Sequence, residues 1–270
     1  MKTLINIKAL LYGLPIGVLG GLIGLGGAEF RLPVLTRVFG YKAIEAVPLN
    51  LAMSLLTVMA AFMSRLTLTS AEELLALAPI IGMLALASMT GAYMGTTYLY
   101  RIRESRLQKV MIVLLGSIGG LLIVESFSGF TSQRLADDPI VNIVLELGLG
   151  FWIGVVSSLL GIAGGELIIP TLVLVFGVAV KEAGTASLII STATIIVGFI
   201  RYLRRGAYNN RWDVTAVVVP MGMGSVVGAI VGGVLLGIVS SAVLKLALGI
   251  LLVISAMNMF HPAARVPIAS

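Results

Sequence analysis

Apolar residues run through this chain in long blocks, and most blocks have the length a bilayer demands. A helix needs about 20 mostly apolar residues to cross ~30 Å of hydrocarbon at ~1.5 Å per residue. Blocks of that kind cover roughly 46–64, 74–99, 107–124, 183–200, 213–237 and 243–260. Two further stretches, about 9–40 and 142–177, are too long for one crossing and are broken by glycine clusters. A single polar linker, ESFSGFTSQRLADDP at 125–139, divides the chain near its middle, with Pro139 where the next helix opens. The start of the chain has the outline of a signal peptide but no small-residue cleavage site, so it is expected to be retained.

Composition places these blocks in lipid. Hydrophobic residues make up 59% of the 270 residues and charged residues 11%, with a mean hydropathy of +1.10. Globular domains carry roughly 25% charged residues, so the expected fold class is an all-α integral membrane protein. With no cysteine and one histidine, His261, thiolate sites, disulfides and histidine clusters are excluded, and neither metal nor cofactor is expected. The net charge of +6 reads as basic cytoplasmic loops rather than a nucleic-acid surface. No G-x-x-x-x-G-K-[ST] loop is present to couple ATP hydrolysis.

The two halves repeat. Shifted by 137, Gly13 meets Gly150 and Gly17 meets Gly154; GLGGAEFRLP (24–33) meets GIAGGELIIP (161–170). Further on, Glu45-Ala46 meets Glu182-Ala183, Ser54 and Thr57 meet Ser191 and Thr194, and Gly91-Ala92 and Gly95 meet Gly228-Ala229 and Gly232. A constant offset over about 80 positions indicates duplication, the mark of a transporter scaffold. The expected organisation is a first transmembrane repeat at 1–124, the linker at 125–139 and a second repeat at 140–270.

Loop charge predicts the orientation. If each glycine-broken stretch crosses once, the basic residues divide almost evenly between the two sides. If each is a hairpin that returns to its own side, one side collects thirteen: Lys2, Lys8, Arg37, Lys42, Arg101, Arg103, Arg106, Lys109, Arg201, Arg204, Arg205, Arg211 and Arg265. The other keeps four, Arg65, Arg134, Lys181 and Lys245. Basic residues favour the cytoplasmic side, so the hairpin arrangement is preferred. It gives three spans and one re-entrant helix pair per half, the halves inverted relative to one another and both termini cytoplasmic.

Residues 9–23 and 31–40 are each read as too short to cross, as are 147–160 and 167–177, so the arms of each pair meet partway at GLGGAE and GIAGGE. Irregular backbone at that depth persists only when buried in protein or lining a watery cavity. Pro33 and Pro170 suit the first turn or so of each second arm. Each second arm then aims uncapped N–H groups and partial positive charge at the interior, a cradle for a small anion. The candidate substrate-binding residues are therefore Gly26, Gly27, Ala28, Glu29 and Arg31 in the first half, with Gly164, Gly165 and Glu166 in the second. Asn50, Ser54, Ser187 and Ser191 join them from the following helices, where positions 50, 54 and 57 share one face.

Glu29 and Glu166 are candidates for carrying a proton; the plain alternative is a carboxylate steadied by a helix N-terminus. Arg31, whose counterpart is Ile168, either meets the substrate or pairs with Glu29. Gly91/Gly95 and Gly228/Gly232 read as close-packing faces. RYLRRGAYNNRW (201–212) reads as a cytoplasmic loop against anionic lipid with Trp212 as an interfacial anchor.

At GLGGAEFRLP, GIAGGELIIP, EAVPLNLAMS, EAGTASLIIS and RRGAYNNRWD the chain resembles the sulfite exporter TauE/SafE family over nearly its whole length. The resemblance implies a multi-pass plasma-membrane permease moving small sulfur-containing anions, such as sulfite or organosulfonates, usually outward. Two departures stand out: Arg31 replaces a usual hydrophobic residue, and Pro48-Leu49-Asn50 replaces a stretch that Gly184–Ser187 matches better. The expected function is secondary transport by alternating access. A passive anion channel on the same scaffold, or an intramembrane enzyme, is the alternative. The expected partners are the anion and membrane lipid, with homodimeric assembly left open.

Overall fold

In a computed structural model the described residues are 2–66, 70–98 and 138–260, with short pieces between 112 and 126. Among them every regular element is helical. The principal helices among the described residues are α1 (Lys2–Ile23), α2 (Ala28–Arg37), α3 (Ala43–Arg65), α4 (Ala78–Tyr98), α5 (Pro139–Leu160), α6 (Gly165–Leu174), α7 (Val180–Arg204), α8 (Val219–Leu235) and α9 (Ser241–Phe260). A short helix, Ala71–Ala76, leads into α4, and Arg211–Asp213 with a π-helical turn, Val214–Val218, leads into α8. Among the described residues six helices are long and apolar enough to cross a membrane: those within 3–23, 44–65, 78–97, 139–159, 180–204 and 211–235.

Local chemistry accounts for the boundaries. Asp138 accepts from the Ile140 N–H at 2.8 Å and Pro139 follows at the first helical position, so α5 opens where the sequence places it. Ser70 and Glu73 close a reciprocal capping box on Ala71–Ala76. The expected span at 107–124 and the linker at 125–139 lie mostly outside the described residues, and His261 lies wholly outside.

Two expectations change. The first arm of each glycine-broken pair is 22 residues long, about 33 Å at ~1.5 Å per residue, and is not too short to cross. Residues 2–8 continue α1 outward without a break, and Pro15 lies within the helix. Only the second arms, α2 and α6, are short, at ten residues each. In the 201–212 segment, Arg201–Arg204 belong to α7 rather than to a loop; Trp212 is half exposed.

Helix boundaries recur at the offset of 137: Lys2–Ile23 lands on Pro139–Leu160, and Ala28–Arg37 on Gly165–Leu174. The packing is reciprocal as well. α1 lies along α8 in the same direction, with Gly13, Gly17 and Gly21 against the backbone of Met221, Ser225 and Ala229. Its counterpart α5 lies along α4, with Gly91 against Phe151, Gly95 against Val155 and Gly154 against Ser88. Added β-carbons there would collide with main chain, so the predicted close-packing glycines are where the helices touch. α3 and α7 cross in opposite directions: Arg65 at the end of α3 bonds Thr185 near the start of α7, while Gly198 late in α7 packs on Leu51 early in α3.

Candidate anion site at the paired glycine turns

Both short second arms start from a glycine in the left-handed region, Gly27 (φ 71°) before α2 and Gly164 (φ 84°) before α6. A side chain there would be strained, which explains the glycine pairs. Neither helix has a side-chain cap on its N-terminus. The two turns meet: Gly165 packs against Leu25 and Gly24, and Gly26 against Ala163. Glycine at 165 is needed for contact, since a β-carbon would stand 2.9 Å from the Leu25 main chain.

Each half holds the other's turn. Asn50 on α3 donates to the Gly161 carbonyl at 2.8 Å, and Ser187, its counterpart on α7, donates to the Gly24 carbonyl at 2.7 Å. Asn50 also donates to the Ala28 carbonyl at 2.9 Å, so one amide ties the start of α2 and the second turn to α3. Of the sequence candidates, Gly26, Ala28, Arg31, Asn50 and Ser54 share one hydrogen-bonded cluster, while Ser187 reaches it through Gly24.

Arg31 is wholly buried, at 0% exposure, and lies among neutral acceptors. Its Nη1 donates to Asn50 Oδ1 at 3.3 Å and Ser54 Oγ at 3.0 Å. Its Nη2 donates to the Gly26 carbonyl, Thr57 Oγ1 and Ser225 Oγ at 3.2, 3.0 and 3.3 Å. Residues 50, 54 and 57 therefore do share a face, and that face grips the guanidinium. Of its nitrogens only Nε is buried without a hydrogen bond among the described residues. In the second half Ile168 offers no donor, and Ser88 and Thr194 bond each other directly at 2.7 Å. Ser191, the counterpart of Ser54, has no partner among the described residues.

Glu29 and Glu166 approach each other across the junction and act on one another, and Arg31 acts on Glu29. Both Glu29 oxygens and Oε1 of Glu166 are sealed from solvent without a well-formed hydrogen bond among the described residues. Carboxyl oxygens so placed are costly unless protonated or met by an incoming group.

Sequence reasoning missed several members. Ser225 is one, although Ser88 and Ser225 match at the same offset as the nearby glycines. Arg65 is another: read as a loop charge, it is buried at 0% exposure and holds the end of α1 through the Gly21 and Leu22 carbonyls. Among the described residues no cluster of His, Asp or Glu is arranged to hold a metal.

The six apolar helices of spanning length among the described residues, packed around a buried, glycine-lined junction, define a polytopic membrane protein. The profile of the sulfite exporter TauE/SafE family matches residues 2–122 and 146–269, so the chain belongs to that family. It is a membrane transporter family and not an enzyme family. No curated protein and no solved structure matches the chain.

Proposed function

We propose that this protein is a secondary transporter exporting a small sulfur oxyanion, sulfite or an organosulfonate, across the plasma membrane by alternating access. The observation that carries the reading is the junction of α2 and α6. Two uncapped helix N-termini converge beside a buried arginine, in a place sealed from solvent. Helix N-termini favour anions through free N–H groups and partial positive charge. Gly26, Gly27, Ala28, Gly164 and Gly165 supply main chain, while Asn50, Ser54, Ser187 and Ser191 shape the polar wall. Arg31 contributes charge and its free Nε.

We read the halves as inverted repeats with re-entrant α2 and α6. Supporting this, α3 and α7 run oppositely while α1, α3 and α8 run together, as do α4, α5 and α7. Cytoplasmic termini are supported by the basic 201–211 segment lying at the same end as Lys42. Tyr208 there bonds the Pro48 carbonyl, and Tyr41 bonds Asp213. Rocking of one half against the other would expose the junction to each side in turn, with Glu29 and Glu166 carrying a proton. Counterflow of labelled sulfite in proteoliposomes tests the reading: saturable, protein-dependent exchange is expected. Large unitary currents in planar bilayers would replace the carrier with a channel.

A further inference from the structure

Glu29, Glu166 and Arg31 form a sealed cluster of three ionisable groups, and its charges have to balance. Three of the four carboxyl oxygens have no hydrogen-bond partner among the described residues, the carboxyls act on each other, and Arg31 acts on Glu29. The packed helices α1, α3, α5 and α7 also carry Lys2, Lys8, Glu45, Arg65, Glu146, Lys181, Glu182, Arg201 and Arg204; the groups found to act on the pair are the two carboxyls themselves and Arg31. Arg65, the other buried cation among the described residues, is committed to the carbonyls at the end of α1. A net charge in a water-excluded interior is expensive. With Arg31 cationic, the cluster is neutral when the carboxyl pair shares one proton.

We propose that Arg31 fixes the resting carboxyl pair at one proton, and that each monovalent anion entering the junction brings one further proton. This rests on the export reading and adds its stoichiometry. The loaded cluster holds two neutral carboxyls, Arg31 and the anion, again with no net charge. The proton comes from water on the side of entry and leaves to water on the other side; only O–H bonds form and break. The same balance selects substrates. A divalent oxyanion leaves one negative charge uncompensated, so the junction takes monoanions of the hydrogen sulfite or sulfonate class and excludes sulfate.

The decisive experiment uses proteoliposomes containing the full chain, an internal pH dye, and a potential clamped with potassium and valinomycin. The probes are methanesulfonate and, in mildly acidic buffer, hydrogen sulfite, both monoanions; whichever is carried is followed. Wild type is expected to move one proton with each anion at a rate independent of the clamped potential, and a tenfold excess of sulfate is expected to leave uptake unchanged. Glu29→Gln and Glu166→Gln, taken singly, keep the ratio of one, because the remaining carboxylate and Arg31 start neutral. The double variant, left with Arg31 alone, is expected to carry the anion without a proton and to follow the potential. Arg31→Lys retains the charge and is expected to retain the ratio.

Potential-driven wild-type uptake without acidification overturns the stoichiometry and leaves the export reading standing. A double variant that still moves a proton with each anion also overturns it, as does effective competition by sulfate. Absence of saturable uptake of both probes removes the export reading and this inference with it.

Discussion

Arg65 and Tyr202 occupy equivalent positions in the two halves and donate to equivalent carbonyls, Gly21 and Ser158, each at 3.0 Å. Each ties the end of a third helix to the end of a first one. Arg65 does more, reaching the Leu22 carbonyl at 2.7 Å and Thr185 at 3.4 Å. Removing the arginine leaves buried carbonyls unpaired. Arg65→Leu is therefore expected to cost about 2–4 kcal/mol, and Tyr202→Phe, which loses one hydrogen bond, about 1 kcal/mol. Thermal unfolding in detergent ranks the two; equal losses would contradict the assignment of Arg65 as the heavier tie.

The glycine contacts carry their own controls. At Gly17 and Gly228 a β-carbon would strike the backbone of Ser225 and Leu14, whereas at Gly82 nothing lies within 4 Å. Gly17→Ala and Gly228→Ala are expected to lower the melting temperature sharply, because helices held by close approach have to separate. Gly82→Ala is expected to be neutral or to stabilise by about 0.5–1 kcal/mol through helix propensity. A melting series of the three purified variants checks the order.

Asn50 and Ser187 are matched in position but unequal in duty. Asn50 bonds two carbonyls and accepts from Arg31, while Ser187 holds the Gly24 carbonyl and backs onto its own helix at Gly184. Asn50→Ala is expected to reduce sulfite counterflow at least tenfold; Ser187→Ala, losing about 1 kcal/mol of hydrogen bonding, is expected to keep a substantial fraction. Equal flux from both variants would mean that the turns are held by packing alone.

At the basic end of the bundle, the Tyr41 hydroxyl donates to Asp213 at 2.8 Å. Burial, and then Asp213, push its ionisation above that of a free tyrosine. A free tyrosine ionises near ~10. Above that pH the unfolded chain releases the proton while the folded chain keeps it, so stability is full below ~10 and falls as pH rises. Tyr41→Phe is expected to flatten part of that alkaline loss, with Tyr208, also pushed up by burial, supplying another part. Denaturation midpoints across alkaline pH measure it.

Much of the helix plan was legible because each apolar block has to satisfy its own backbone in lipid. That is why α3, α7 and α9 lie within a few residues of the expected 46–64, 183–200 and 243–260. The extra length of α1 escaped because Lys2 and Lys8 interrupt hydropathy without interrupting the helix. Within the junction, Asn50, Ser54 and Thr57 were legible as one face, since helical spacing alone brings them together. What they hold was not, because Arg31 meets them only after the turn at Gly26-Gly27 folds α2 back onto α3. Ser225 joins from 194 residues away, a separation that no local pattern encodes.

The exchange of partners between halves, α1 with α8 and α4 with α5, has a consequence for biosynthesis. When α1 leaves the ribosome its glycine-lined groove has no occupant, and it stays vacant until nearly the last helix is translated. The first half is therefore expected to fold poorly by itself, with the packing face of α1 open until α8 arrives. Separately expressed halves are expected to be degraded alone and to rescue one another when made together.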